Sequence, residues 1–171
     1  MKYINTEKAK KLKIDKENVY VVIDFDKTIT DAKSQDSWDA SSHTLGNACK
    51  NEMERLYKFY APIELNYNLS FVEKSQSMIE WYTNCMNLYY QYGITEEKLK
   101  QSIEMSKLIF RKGAKEFIQK AHKQNIPIII LSAGIGNVIQ KFLEDSNCYY
   151  DNMHIISNFI EFDKNRKYGA I

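Results

Sequence analysis

Several things are scarce in this 171-residue sequence, and each scarcity removes a class of protein. Cysteine is one. Cys49, Cys85 and Cys148 are odd in number and far apart, a pattern of free thiols in a reducing compartment rather than of a zinc site or a disulfide frame. Net charge is another: 24 basic residues against 22 acidic ones leave +2, and so no reason to expect nucleic acid or an anionic membrane as partner. No apolar run approaches a membrane-spanning length; the longest, Ile126 to Leu131, is broken by Pro127, one of two prolines in the chain. The opening "MKYINTEKAKKLKIDKENV" is basic but has no apolar centre of the kind a secretion signal needs. Internal repeats and low-complexity linkers are also missing. The expectation is a cytoplasmic globular chain of about one domain, 44% hydrophobic and 27% charged, long enough to bury a core.

What is present has order. After a basic helix or tail, a strand is expected from Val19 to about Phe25. A polar loop, "TDAKSQDSWDASSHT", follows it. Leu45, Ala48, Cys49, Met53 and Leu56 then recur at spacings of three and four, which predicts an amphipathic helix ending near Tyr60 and Pro62. A second helix is expected from Phe71 to Tyr92, closed by Gly93. A third begins after Thr95, an N-cap with Glu96 and Glu97 in a first turn whose dipole favours them. The pattern then alternates: "GAKEFIQKAHKQN" as helix, "IPIIILSAG" as buried strand, "NVIQKFLEDS" as helix, "MHIIS" as strand. That is the signature of an α/β fold with a parallel sheet, here split by a helical insertion after its first strand.

Chemistry gathers at two strand ends, where open parallel sheets bind ligands. The first is "DFDKT". Side chains alternate along a strand, so Asp24 and Asp26 can share a crevice while Phe25 packs away from it. Two carboxylates so close are costly unless a cation neutralises them or one keeps a proton, and a hard ion such as Mg²⁺ suits oxygen ligands. One carboxylate can then attack an electrophile while the other shuttles a proton. The second end is Leu131-Ser132-Ala133-Gly134-Ile135-Gly136, a hydroxyl followed by small residues where backbone N–H groups and a helix N-terminus can hold an oxyanion. Each motif also has a plainer reading, as a solvated turn and as a helix cap. Their joint occurrence at the ends of successive apolar strands points to phosphoryl transfer.

These residues resemble a known family. "DFDKTIT" resembles the first motif of the haloacid dehalogenase superfamily, D-x-D-x-T, and "LSAG" its second. "FYAPIELN", "MIEWYT", "PIIILSAGIGNVI" and "HIISNFIEFD" are similar to the cytosolic pyrimidine 5′-nucleotidase branch, from Val19 to Asp163. The resemblance implies a Rossmann-like core at residues 1–32 and 108–171, with a helical cap inserted at 33–107. It implies an Mg²⁺-dependent 5′-nucleotidase acting on nucleoside monophosphates, pyrimidine ones foremost, through an aspartyl-phosphate.

By position, the resemblance makes Asp24 the nucleophile and Asp26 the acid that protonates the leaving oxygen, then the base that activates water. The Asp24 carboxylate and the Asp26 backbone carbonyl would hold the metal. Ser132, Ala133 and Gly134 would grip the phosphate, with Thr28 beside them. Glu64 and Cys85 fall at nucleoside-contacting positions of the cap, Cys85 where the family has serine. Glu64 read alone is a surface charge and Cys85 a small buried residue, and Trp81 and Tyr82 fit a nucleoside pocket or the core. The family's later lysine and its acidic G-D-x-x-x-D segment have no counterpart before the sequence stops at "DKNRKYGAI"; Lys164, Arg166 and Lys167 read as a solvated turn, and Glu144 and Asp145 as helix surface. The expected core is therefore incomplete, with an open apolar edge on the first strand. Two other readings stay open: a truncated remnant that at most binds nucleotide or phosphate, and a phosphatase of another small phosphomonoester.

Overall fold

A computed structural model describes residues 19–162. The basic opening segment, and Lys164, Arg166 and Lys167, lie outside the described residues. The elements in chain order are β1 (Val21–Ile23), α1 (Ser37–Ser42), α2 (Gly46–Glu64), α3 (Phe71–Gln91), α4 (Glu96–Met105), α5 (Ala114–Lys123), β2 (Ile128–Ile135), α6 (Gly136–Asp145) and β3 (Met153–Asn158).

The three strands form one parallel sheet in the order β1-β2-β3. Val21 pairs with Ile128, which pairs with Met153, and Ile23 pairs with Ile130, which pairs with Ile155. These residues share one face, because side chains alternate along each strand. The helices α5 and α6 cover that face through Ile118, Ala121, Ile139 and Leu143, making a core with Phe25, Ile29 and Cys148. The opposite face carries Val22, Leu131 and Ile156, which are 54%, 53% and 56% exposed. A parallel sheet normally has both faces covered. Here, among the described residues, one face is bare and β1 is an edge strand. This is an α/β fold with an incomplete Rossmann-like sheet.

A second core joins the helical insertion to the end of the sheet. Cys49 of α2, Met86 and Tyr89 of α3, and Leu99 and Ile103 of α4 pack with Ile135 and Val138. The chain enters and leaves this insertion side by side: the Asp31 N–H donates to the Ile109 carbonyl at 2.8 Å, and the Arg111 N–H to the Ile29 carbonyl at 2.9 Å.

The expected elements are present with three differences. β1 is shorter than Val19 to Phe25, because beyond Ile23 the chain turns sharply and buries Phe25 completely. The helix expected to stop near Tyr60 and Pro62 runs to Glu64. Pro62 lies in its last turn, where the missing N–H costs a single helical bond and the winding continues. The segment read as a polar loop contains α1, capped by Asp36, whose carboxylate accepts the Asp39 N–H at 2.8 Å. The other helix ends follow the sequence: Thr95 caps α4, Gly93 ends α3 with a φ of +68°, and Glu144 and Asp145 lie on α6.

Candidate active site

The turn after β1 is built by hydrogen bonds that bury its middle. The Thr30 N–H reaches back to the Phe25 carbonyl at 3.1 Å, and the Thr30 hydroxyl oxygen accepts the Lys27 N–H at 2.8 Å. Lys27 is left in the left-handed region, with φ of +60°. From the far side of the insertion Arg111 clamps the same turn: its Nε donates to the Thr28 carbonyl at 2.9 Å and its Nη2 to the Lys27 carbonyl. The effect is to leave Asp24 and Asp26 flanking a side chain that is wholly interior. Phe25 packs edge-on against Phe142 of α6, ring centres 5.8 Å apart.

The two aspartates have different surroundings. Asp24 is exposed, and its Oδ2 accepts the Thr28 hydroxyl at 2.8 Å. Asp26 is half-buried, and both of its oxygens are held by one residue: Oδ1 accepts the Ser37 N–H at 2.9 Å and Oδ2 the Ser37 hydroxyl at 2.6 Å. Burial raises the Asp26 pKa above the ordinary carboxylate value; the bonds from Ser37 pull it down, and the charges of Asp36 and Asp24 push it up. This is the combination that an acid–base group needs, a held carboxyl with a raised affinity for its proton.

The end of β2 closes on the same point. A Cβ placed on Gly134 would lie 2.0 Å from Ser37 Oγ, 2.7 Å from Asp26 Oδ2 and 3.2 Å from Ser132 Oγ. Asp26, Ser37 and Ser132 thus surround a position that only glycine fits. The β2–β3 register shifts between Leu131 and Ile135, so the ladder loosens where Ser132 to Gly134 turn toward the aspartates.

The oxyanion cradle differs from expectation in one respect. The Gly134 N–H donates to Ser132 Oγ at 3.1 Å and the Ile135 N–H to Ser37 Oγ at 3.0 Å, so these two amides are engaged internally. The Ala133 carbonyl accepts the Trp38 indole N–H at 3.2 Å and the Asn158 side-chain amide at 2.9 Å, which sets the plane of that peptide. Ser132 itself is nearly buried, at 8% exposure.

Among the described residues, no hydrogen bond links the expected cap residues Glu64 and Cys85 to this group. Glu64 is exposed at the far end of α2, its carbonyl accepting the Lys74 ammonium at 2.9 Å. Cys85 is buried in α3, and burial pushes its thiol up to about 12. Trp81 stacks on Tyr60 at 5.7 Å, whereas Tyr82 lies edge-on to Trp38, the residue that reaches Ala133. Two residues joined to the site, Ser37 and Trp38, had no place in the sequence reading; the spacing of Asp36 and Asp39 was the available sign of a helix start there.

For a cation, the donors are right in kind and few in number. The Asp24 carboxylate and the Asp26 backbone carbonyl are hard oxygens, and Mg²⁺ keeps several waters beside such ligands. Among the described residues, no group of three or more His, Cys, Asp or Glu is placed to hold a metal.

The family description "Pyrimidine 5'-nucleotidase (UMPH-1)" matches residues 27–170, beginning directly after the paired aspartates. This chain belongs to the pyrimidine 5′-nucleotidase family. A human 7-methylguanosine phosphate-specific 5′-nucleotidase is 29% identical over 155 residues, 86% of this chain and 52% of the human one. The crystal structure of cytosolic 5′-nucleotidase IIIB bound to cytidine superposes with a TM-score of 0.74 at 30% identity, covering 87% of this chain and 53% of that one. A haloacid dehalogenase-family hydrolase from Salmonella enterica, at 14% identity and a TM-score of 0.57, shares the fold. The chain spans about half the length of the curated relatives it matches.

Proposed function

We propose that this chain carries the aspartate and phosphate side of a 5′-nucleotidase, a phosphomonoester hydrolase acting on nucleoside 5′-monophosphates in the cytoplasm. The observation that supports this most is the meeting of Asp26 with Ser132 around Gly134, two strand ends brought to one point, with Asp24 two residues before Asp26 in the chain. Asp24 is the accessible carboxylate and attacks phosphorus, forming an aspartyl-phosphate as the nucleoside oxygen leaves. Asp26 gives that oxygen its proton and then takes one from the water that releases phosphate. Ser132 and the Ala133 N–H hold the phosphate oxygens, with Gly134 letting Ser37 and Asp26 close against the Ser132 turn. Asp24 and the Asp26 carbonyl would hold Mg²⁺, whose chemistry when bound is to neutralise charge on the phosphate. The division into a core at 1–32 and 108–171 and a cap at 33–107 places the boundary beside the paired segments at Asp31 and Ile109. Glu64 and Cys85 belong to the nucleoside side of this reading. The base is an open choice between the pyrimidine of the family name and the 7-methylguanine of the human relative's.

The test is phosphate release from cytidine, uridine and 7-methylguanosine 5′-monophosphates, with Mg²⁺ and with chelator. The expected result is Mg²⁺-dependent release that disappears in Asp24→Asn. A folded chain that releases none from any of them, or from simpler phosphomonoesters, defeats the reading.

A second reading is favoured by the small number of cation donors that Asp24 and Asp26 supply among the described residues. It is a nucleotide-binding remnant, which would show a ligand-induced rise in thermal midpoint without turnover.

A further inference from the structure

Ser37 makes more contacts at the site than its position explains. It is the first residue of α1, and capping of that helix is already supplied by Asp36. A first-turn N–H has no partner within its own helix and normally goes to a cap or to water. The Ser37 N–H goes instead to Asp26 Oδ1 at 2.9 Å. Its hydroxyl has one proton, and at 2.6 Å that proton goes to Asp26 Oδ2; the oxygen's lone pair takes the Ile135 N–H at 3.0 Å. One fully buried serine therefore ties the turn after β1 to the end of β2. It holds the carboxylate at two points, where a single bond would leave it free to rotate.

Gly134 is the complement of this arrangement. Any side chain there would begin 2.0 Å from the Ser37 oxygen. The space that glycine leaves is the space the hydroxyl occupies.

From this geometry we propose that Ser37 is the positioning residue for Asp26: it fixes both the rotamer of that carboxylate and its distance from the Ser132 turn. The functional half of this inference rests on the acid–base role assigned to Asp26 above. Proton transfer needs heavy atoms within about 2.6–3.2 Å, and a misplacement of about 1 Å can cost on the order of 10²-fold in rate. Ser37 does not touch the reacting phosphate and acts only through Asp26.

The test uses the full chain and two kinds of readout. Three-bond NMR couplings should report a single χ1 for Asp26 in the unmodified chain, averaging in Ser37→Ala and the single value again in Ser37→Thr. The Ser37 and Ile135 amides of the unmodified chain should be protected from hydrogen exchange. In turnover, Ser37→Ala should lower kcat by roughly 10- to 100-fold with KM within about twofold, and Ser37→Thr should recover most of the loss. An unchanged single Asp26 rotamer in Ser37→Ala overturns the proposal. So does free exchange of both amides in the unmodified chain, a measurement that stands even where the alanine variant fails to fold. If the unmodified chain releases no phosphate, the nucleotidase reading fails, and the rotamer measurement still decides the role of Ser37.

Discussion

The Thr28 hydroxyl donates to Asp24 Oδ2 across a single turn, at 2.8 Å. Both residues are exposed, so the bond sets the direction of the carboxylate more than it adds to stability. Thr28→Val should leave the thermal midpoint within about 2 °C and lower phosphate release by several-fold, since Asp24, the proposed nucleophile, loses the hydroxyl that orients it. Parallel melting curves and initial rates check this, and a variant with unchanged rate would show that Asp24 needs no such guide.

Gly134 offers a sharper test of packing. Gly134→Ala puts a methyl 2.0 Å from Ser37 Oγ and 2.7 Å from Asp26 Oδ2, and overpacking of this kind costs about 1–3 kcal/mol. In Ser37→Ala the nearest of those atoms is gone. The double variant should therefore lose less stability than the two single losses added together, by at least about 0.5 kcal/mol in denaturant unfolding. Simple additivity would mean that the hydroxyl is not where the structure puts it.

The pH dependence follows from Asp26. Its pKa is raised by burial, so the folded chain binds this proton more tightly than the unfolded chain, whose value is the ordinary 3.8. Stability from this group is then complete below that value and is lost as pH rises through the folded pKa. In metal-free buffer at pH 7, Asp26→Asn should melt higher than the unmodified chain, and the gap should close toward pH 4. A gap that is constant with pH would contradict the raised pKa. A stabilising change at a working residue is the familiar conflict between stability and activity.

The thiols give a chemical check on the core. Cys49, Cys85 and Cys148 are all free and all buried. Burial moves Cys49 up to about 11 and Cys85 up to about 12, so neither supplies thiolate near neutrality. A disulfide reagent at pH 8 should find no reactive thiol in the folded chain and three after denaturation. Rapid labelling of Cys85 in the native protein would place it on an open surface, closer to the nucleoside role its position suggests.

Much of this was readable before any coordinates. Thr95, Gly93 and the period of Leu45 to Leu56 announced their helices, and the unbroken apolar run at Ile128 announced a buried strand. The D-x-D pair and Ser132 stood out as candidates because short, local spacings single them out. Ser37 was not, because its meaning lies in contacts with Asp26, 11 residues away, and Ile135, 98 away. A serine inside "SQDSWDASS" has nothing to distinguish it from its neighbours, and a helix of six residues shows too few apolar positions to reveal a period. Pro62 misled in the other direction, since a breaker in the last turn of a helix breaks little. Glu64 and Cys85 carried expectations from resemblance alone, since nothing in their local spacing marks a ligand contact.

The edge position of β1 has a mechanical consequence. Three residues long and laced to a single neighbour among the described residues, it is the least anchored rung of the sheet, while β2 is gripped from both sides. Opening a rung of that kind takes less free energy than unfolding the whole. Asp24, the carboxylate proposed above to attack phosphorus, is mounted just past it, so under that proposal the accuracy of its aim depends on how firmly this short edge strand is held.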